Sequence, residues 1–303
     1  MPEAISTLVE RVIASQKTAR NDTAYFGLSS DFAQALLDLS GLFAYNARNL
    51  ILNAICDYPL EEKMKLLAEM SWEETKEYLA REDRLILPLG ATEQHGPHLG
   101  LGTDTFEADA IARAVGEKSG VVVAPALCFG MSHHHFAFTG TISLKPATLI
   151  AVYEDVFRAL YRHGFRRVLI VNGHGGNEAS IVSALHQVAA DLADLRAKLF
   201  QWWSDAEAYR VVIEKLGAQE GSHASPGETS LMLAINPRAV NLERLKGRDS
   251  RVAPSRDILN MHLFPRKYPD GIMGLNPANA SAQVGQALLD QSAEICVREL
   301  ENW

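Results

Sequence analysis

The chain has 303 residues, 47% hydrophobic and 22% charged, which suits one large globular domain or two smaller ones and excludes a disordered or fibrous protein. Its net charge of −8 argues against a nucleic-acid binder, and Cys56, Cys128 and Cys296, without CxxC spacing or an even count, argue against a disulfide framework or zinc finger. No run of about 18 apolar residues and no basic start before an apolar run occurs, so no membrane span or signal peptide is expected and the protein is read as soluble and cytoplasmic.

Residues 1–70 read as helical. Ile5, Leu8, Val9, Val12 and Ile13 recur at helical spacing. Ser30 can cap a helix through Leu39, which Gly41 can end. Residues 43–56 are apolar around much of their circumference, so that helix is expected to pack on the main domain or on another subunit. Ser71-Trp-Glu-Glu74 is a capping box opening a helix to about Ala80. The period then changes. Arg84 to Leu89 is predicted as a buried strand, Thr105 to Val115 as a helix and Val121 to Ala124 as a short strand. Pro146 suits the first turn of a helix to His163, ended by Gly164. Arg167 to Asn172 is a second buried strand, followed by a glycine-rich turn and a helix to about Leu192. A strand at 196–200, helices from Glu207 to Leu216 and from Leu231 to Ile235, an irregular stretch 236–278 and a closing helix from about Ala280 to Leu300 complete the chain. Strands alternating with helices predict an α/β fold with a mainly parallel sheet covered on both faces.

Three polar, glycine-rich loops interrupt this pattern. The first, Leu87 to Asp104, leaves a strand end and carries Glu93, His95, His98 and Asp104 within a dozen residues. The second, Gly173-His-Gly-Gly-Asn177, repeats the arrangement of strand, glycine turn and histidine. The third, Gly221 to Ser230, holds His223 and Glu228. A further loop, Phe129 to Ser143, brings His133, His134 and His135. Loops at strand ends are where α/β folds place ligands. Imidazoles mixed with carboxylates crowd badly unless a cation offsets the charge, and such a set can hold two divalent metals with one carboxylate bridging them. Phe136, Phe138, Trp202 and Trp203 are candidates to line an apolar pocket, with core packing the competing reading for the two Phe.

The motifs Glu93-Gln-His-Gly-Pro-His…Gly-Thr-Asp104, Asn172-Gly-His-Gly-Gly-Asn177 and His223…Gly-Glu-Thr-Ser230 resemble, in order, those of the creatininase (creatinine amidohydrolase) family. The resemblance covers roughly Ser71 to the C-terminus. It implies a single creatininase-like domain over 71–303, with residues 1–70 as a helical extension serving as an interface or an active-site cover. It implies a homo-oligomer, a hexamer in the family, and hydrolysis of a small cyclic, formyl or similar non-peptide amide. Two divalent ions per subunit, zinc, manganese or iron, are implied as cofactors. Residue by residue, Glu93 and His174 match ligands of one metal, His95 a ligand of the other, and Asp104 the bridging carboxylate. The glutamate that creatininase carries just after its histidine is replaced here by Gly175-Gly176, so Glu228 is taken as the remaining ligand, with Glu178 as the alternative. His223 matches a proton-shuttling histidine. Trp202 and Trp203 fall where aromatics meet substrate, and His134 and His135 are further substrate-facing candidates. A catalytically idle binding relative and a metal-dependent hydrolase of another bond, such as a lactone, are the competing readings. The first motif has Gly100 where the family commonly has proline.

Overall fold

The computed structural model describes residues 64–217, 222–247, 260–274 and 276–303. The apolar helix expected at 43–56, and all of the extension before residue 64, lie outside the described residues. Four strands form one all-parallel sheet in the order β2-β1-β3-β4: β1 (Arg84–Leu89), β2 (Val122–Val123), β3 (Arg167–Asn172) and β4 (Arg196–Phe200). Ahead of them, Leu66 bridges Val123 in parallel and the Val123 N–H donates to the Lys65 carbonyl, so residues 65–66 run along the β2 edge.

Period-two burial decides the layers. Leu85, Leu87, Leu89, Val168 and Ile170 face helices α1 (Trp72–Leu79), α3 (Pro146–His163) and α4 (Glu178–Ala189), where they meet Tyr153, Phe157, Ile181 and Ala184. Ile86, Leu169 and Val171 face the opposite layer of α2 (Thr103–Ser119), α5 (Ala206–Leu216), α6 (Pro226–Ile235) and α8 (Ala282–Glu301). A four-residue helix, α7 (Phe264–Lys267), lies in the segment expected to be irregular. Both faces are therefore dry, as a parallel sheet requires. Among the described residues no helix is long and apolar enough to cross a membrane.

The strand limits 84–89, 167–172 and 196–200 are as expected, and so is α3. Two helices begin two or more residues earlier than expected, and both differences matter for the site. α2 starts at Thr103, because the Thr103 hydroxyl donates to the Gly100 carbonyl and closes the preceding turn; Asp104 thereby enters the first helical turn. α6 starts at Pro226 rather than Leu231, because Ser225 and Glu228 form a second capping box with Pro226 at the first position. The chain runs from β1 outward to β2 and back across to β3, so the sheet switches direction between β1 and β3. The crevice beyond the C-terminal ends of those two central strands is the expected ligand position.

Candidate metal centre

Four of the metal-capable side chains hang from the two central strands and α2. Glu93 and His95 follow β1, Asp104 opens α2, and His174 follows β3. The loops are drawn together by Asn172 and Asn177. Asn172 Nδ2 donates to the His174 carbonyl and to Gln201 Oε1, at 2.7 and 2.8 Å, while its Oδ1 accepts from the His174 backbone N–H and from the Asn177 side-chain amide. Asn177 Nδ2 donates to the Gly90 carbonyl, at 3.0 Å, and Asn177 Oδ1 accepts from the Met131 N–H. A side chain at Gly173 would put its Cβ 2.1 Å from the Asp104 carbonyl, so only glycine lets α2 seat against the β3 loop.

The histidine tautomers follow from backbone acceptors. His95 Nδ1 lies 3.1 Å from the Glu93 carbonyl, His174 Nε2 3.0 Å from the Met131 carbonyl, and His223 Nε2 2.8 Å from the Gln94 carbonyl. A carbonyl only accepts, so each of these nitrogens carries a hydrogen. The other nitrogen of each neutral ring then bears a lone pair. His95 Nε2 is 2.8 Å from Asp104 Oδ1 and 3.8 Å from Glu228 Oε1; His174 Nδ1 is 3.1 Å from Asp104 Oδ2 and 3.4 Å from Glu93 Oε1; His223 Nδ1 is 3.5 Å from Glu93 Oε1. The nitrogens free to take up a proton or a cation thus face carboxylate oxygens, and Asp104 turns one oxygen to each of two histidines. Glu93 Oε2, His95 Nε2 and Asp104 Oδ2 are buried without a hydrogen-bond partner. The donor set of imidazole nitrogens and carboxylate oxygens fits divalent cations of the zinc and manganese kind. Among the described residues, Glu93, Asp104 and His174 are grouped closely enough to hold one ion, as are His95, His223 and Glu228. A third grouping joins Glu93, His135 and His223.

With protons as the only counter-charge, the cluster is strongly polarised. Burial drives His95 down, but Asp104, then Glu228 and Glu93, outweigh it and lift the ring to about 10. His174 is likewise raised well above the usual range, Glu93 and Asp104 overcoming its burial. Asp104 and Glu93 are held below the ordinary carboxylate range by the facing histidines, against a burial that opposes it. His223 moves the other way: burial, reinforced by His95, lowers it, so it is neutral at pH 7. Helix position assists. Asp104 and Glu228 both lie in first turns, where the positive end of the helix favours a carboxylate. Glu228 spends Oε2 on the Ser225 N–H of its capping box, at 2.7 Å, leaving Oε1 for His95.

The other sequence candidates are placed as follows. Glu178, the alternative fifth ligand, is exposed and outside all three groupings, whereas the Glu228 side chain is 12% exposed and inside one. His98 is buried, pairs through Nε2 with Thr229 Oγ1 at 2.9 Å beside Glu228, and is lowered by burial to about 3. His135 is buried and stacks on His223 with centroids 4.3 Å apart, while half-buried His134 packs on His135 and Phe264. Trp202 packs in the core on the α2 face, with Trp203 edge-on to it, and its indole N–H donates to Glu107 Oε2 at 3.3 Å. Glu107 is one turn beyond Asp104, and burial, then Glu228 and Asp104, raise it well above the usual range. Gln94, Asn172 and Asn177 were not singled out from sequence, although each flanks or closes a motif that was.

Gly176 permits one contact that a larger residue would break. A Cβ there would lie 2.4 Å from both His174 Nε2 and the Met131 carbonyl, the two atoms of the hydrogen bond that fixes the His174 tautomer; at Gly175 nothing lies within 4 Å. Gly176→Ala is expected to weaken metal affinity about 10- to 100-fold, the usual cost of losing a partner that orients a ligand, and Gly175→Ala to leave it near wild type. Competition titration with a fluorescent chelator measures both; equal affinities would refute the anchoring role.

The creatinine amidohydrolase family profile matches residues 68–300, and so most of the chain. The chain belongs to the creatininase family. It is 31% identical to the creatinine amidohydrolase of Pseudomonas putida over 252 residues, covering 78% of this chain and 94% of that protein. It is 30% identical over 251 residues to a mycofactocin precursor peptide peptidase of Mycobacterium ulcerans, covering 80% of this chain and 94% of the relative. A solved structure of creatininase superposes with a TM-score of 0.71 at 28% identity, covering 79% of this chain and 98% of that one. The creatininase fold expected from the motifs is therefore the fold observed.

Proposed function

We propose that this creatininase-family chain is a dinuclear metal-dependent amidohydrolase acting on a small non-peptide amide. The observation that carries the reading is Asp104, whose two oxygens face His95 Nε2 and His174 Nδ1, at 2.8 and 3.1 Å. Asp104, Glu93 and His174 would hold one cation, and Asp104, His95 and Glu228 the other. Bound there, the cations supply the chemistry of lowering the pKa of a water from about 15.7 toward about 7 and polarising an amide oxygen. Relatives support a divalent ion: solved creatininase structures include a mutant of Zn-Zn type and a manganese form. The amide class is supported by the creatinine amidohydrolase relative; the peptidase relatives define the nearest alternative bond.

The chain's own residues handle the proton. His223, neutral and with its Nδ1 lone pair turned to the cluster, accepts a proton as water attacks the carbonyl carbon. It then returns that proton to the departing nitrogen, which leaves poorly as an anion. The Nε2–H bond to the Gln94 carbonyl keeps the ring oriented through both transfers. Half-buried Trp203 and His134 are proposed to face substrate; Trp202 is proposed to act behind the site by holding Glu107. The reading extends to a cytoplasmic homo-oligomer, hexameric as in the family, with residues 1–70 forming an interface or a cover; loss of mass in solution on removing those residues tests the interface.

The deciding experiment pairs elemental analysis of protein purified without chelator with release of amine or ammonia from creatinine, other cyclic amides, formyl amides and a short peptide. About two metals per chain, and turnover abolished by chelation and restored by zinc or manganese, are expected. Protein that takes up no metal would instead indicate a binding relative.

A further inference from the structure

Gln94 sits between two of the proposed ligands and is itself buried. Its carboxamide is oriented without ambiguity, because Oε1 accepts the Gly96 N–H at 2.9 Å. Nε2 then faces three atoms: the Gly271 carbonyl at 3.0 Å, His135 Nδ1 at 2.9 Å and His223 Nε2 at 2.9 Å. The amide has only two hydrogens. Gly271 takes one. His223 Nε2 is already a donor to the Gln94 carbonyl and cannot take the other. The second hydrogen therefore goes to His135 Nδ1, which must be an acceptor. In the neutral ring the remaining hydrogen is on Nε2, and that N–H points toward the cluster. The facing oxygen, Glu93 Oε1, is 3.5 Å away, beyond the usual 2.7–3.2 Å of an N–H···O bond. The same reasoning argues against a third cation at the Glu93–His135–His223 grouping, since a protonated nitrogen is no ligand.

We propose that Gln94 is a positioning residue that locks His135 as an Nε2–H donor, and that this N–H binds the substrate carbonyl oxygen as negative charge develops on it. The inference rests on the amidohydrolase reading for its catalytic half only. The ring is held for that task by three neighbours. It stacks on His223, its edge meets Phe264 with centroids 4.4 Å apart, and His134 packs against it at 4.0 Å. Donors fixed in advance at the position of a developing oxyanion cost no reorganisation during reaction, and removing one typically lowers kcat about 10²- to 10³-fold.

Gln94→Glu tests the lock, because a carboxylate offers only acceptors. His135 must then carry its hydrogen on Nδ1 to meet the introduced carboxylate, and Nε2 loses its own. Long-range ¹H–¹⁵N NMR of the histidine rings, on the full chain as purified and after zinc loading, reads the tautomers directly. The expected result is an Nε2–H His135 in wild type and an Nδ1–H His135 in Gln94→Glu. Turnover in the variant is expected to drop about 10²- to 10³-fold in kcat, with little change in KM and unchanged metal content. Should that variant not fold, His135→Gln retains a side-chain N–H donor and is expected to stay within about tenfold of wild type, while His135→Phe loses about 10²- to 10³-fold. An Nδ1–H His135 in wild type would overturn the lock. Equal kcat for His135→Phe and wild type would overturn the oxyanion role. A chain that binds no metal and hydrolyses no amide would refute the amidohydrolase reading, while the wild-type tautomer would still decide the positioning of His135.

Discussion

Asp104→Ala is expected to abolish metal binding at both positions and to lower turnover by at least about 10⁴-fold, or roughly 5.5 kcal/mol of transition-state stabilisation. The size of the effect follows from geometry. Loss of any other carboxylate leaves the two central histidines with a shared partner, whereas Asp104 faces His95 at 2.8 Å and His174 at 3.1 Å. Nothing else in the described cluster touches both rings so closely. Asp104→Asn keeps the shape and removes the charge, so it separates loss of metal from loss of packing. Asp109→Ala, further along the same helix in an exposed pair with Arg113, is the control expected to behave as wild type. The wild-type protein should release protons as it loads. His95 at about 10 and His174 well above its usual range both carry a proton at pH 7 when protons are the only counter-charge, so metal must displace them. Metal affinity accordingly falls as pH falls. Elemental analysis and calorimetry in buffers of different ionisation enthalpy measure these quantities; full metal occupancy in Asp104→Ala would sink the bridging assignment.

Much of this was legible in the sequence, for physical reasons that differ between elements. The central strands 84–89 and 167–172 are continuous apolar runs that only a sheet covered on both sides can bury, and their ends coincide with the polar loops. The cluster was legible because Glu93, His95, Asp104 and His174 are carboxylates and imidazoles set on glycine-rich loops at strand ends, and the fold brings these side chains together. Local hydrogen-bonding signals were partly overlooked. Ser225-Pro-Gly-Glu228 carries the same S-x-x-E pattern as Ser71-Trp-Glu-Glu74, and reading it would have started α6 at Pro226 and placed Glu228 in a first turn. What sequence could not carry are partners brought together by folding. Nothing in the chain pairs Gln94 with His135, 41 positions away, or Trp202 with Glu107, 95 positions away. Trp202 illustrates the cost. As one of two adjacent tryptophans beside a strand end it reads as a pocket wall, yet its ring packs in the core and only its N–H reaches toward the site.

His223→Ala is expected to retain metal and lose about 10²- to 10⁴-fold in kcat, the range associated with removing a general acid–base group. Retention follows from the number of donors: Asp104, Glu93, His174, His95 and Glu228 remain to hold cations when His223, which lies near Glu93 and is grouped with His95 and Glu228, loses its single free nitrogen. The loss follows from the leaving group. An amine nitrogen must be protonated as the C–N bond breaks, and His223 Nδ1 is the lone pair proposed to carry that proton. The defect should therefore depend on the substrate. For an amide whose amine is stable without a proton, such as a nitroanilide, protonation of the departing nitrogen matters little and the loss should shrink to the part due to proton acceptance during water attack. For an alkyl amide the full loss should appear. Rate measurements on such a leaving-group series, with metal content measured in parallel, separate proton delivery from metal binding. An equal loss across the series with metal intact would remove proton delivery from the role of His223, and a loss that tracks missing metal would make it a ligand instead.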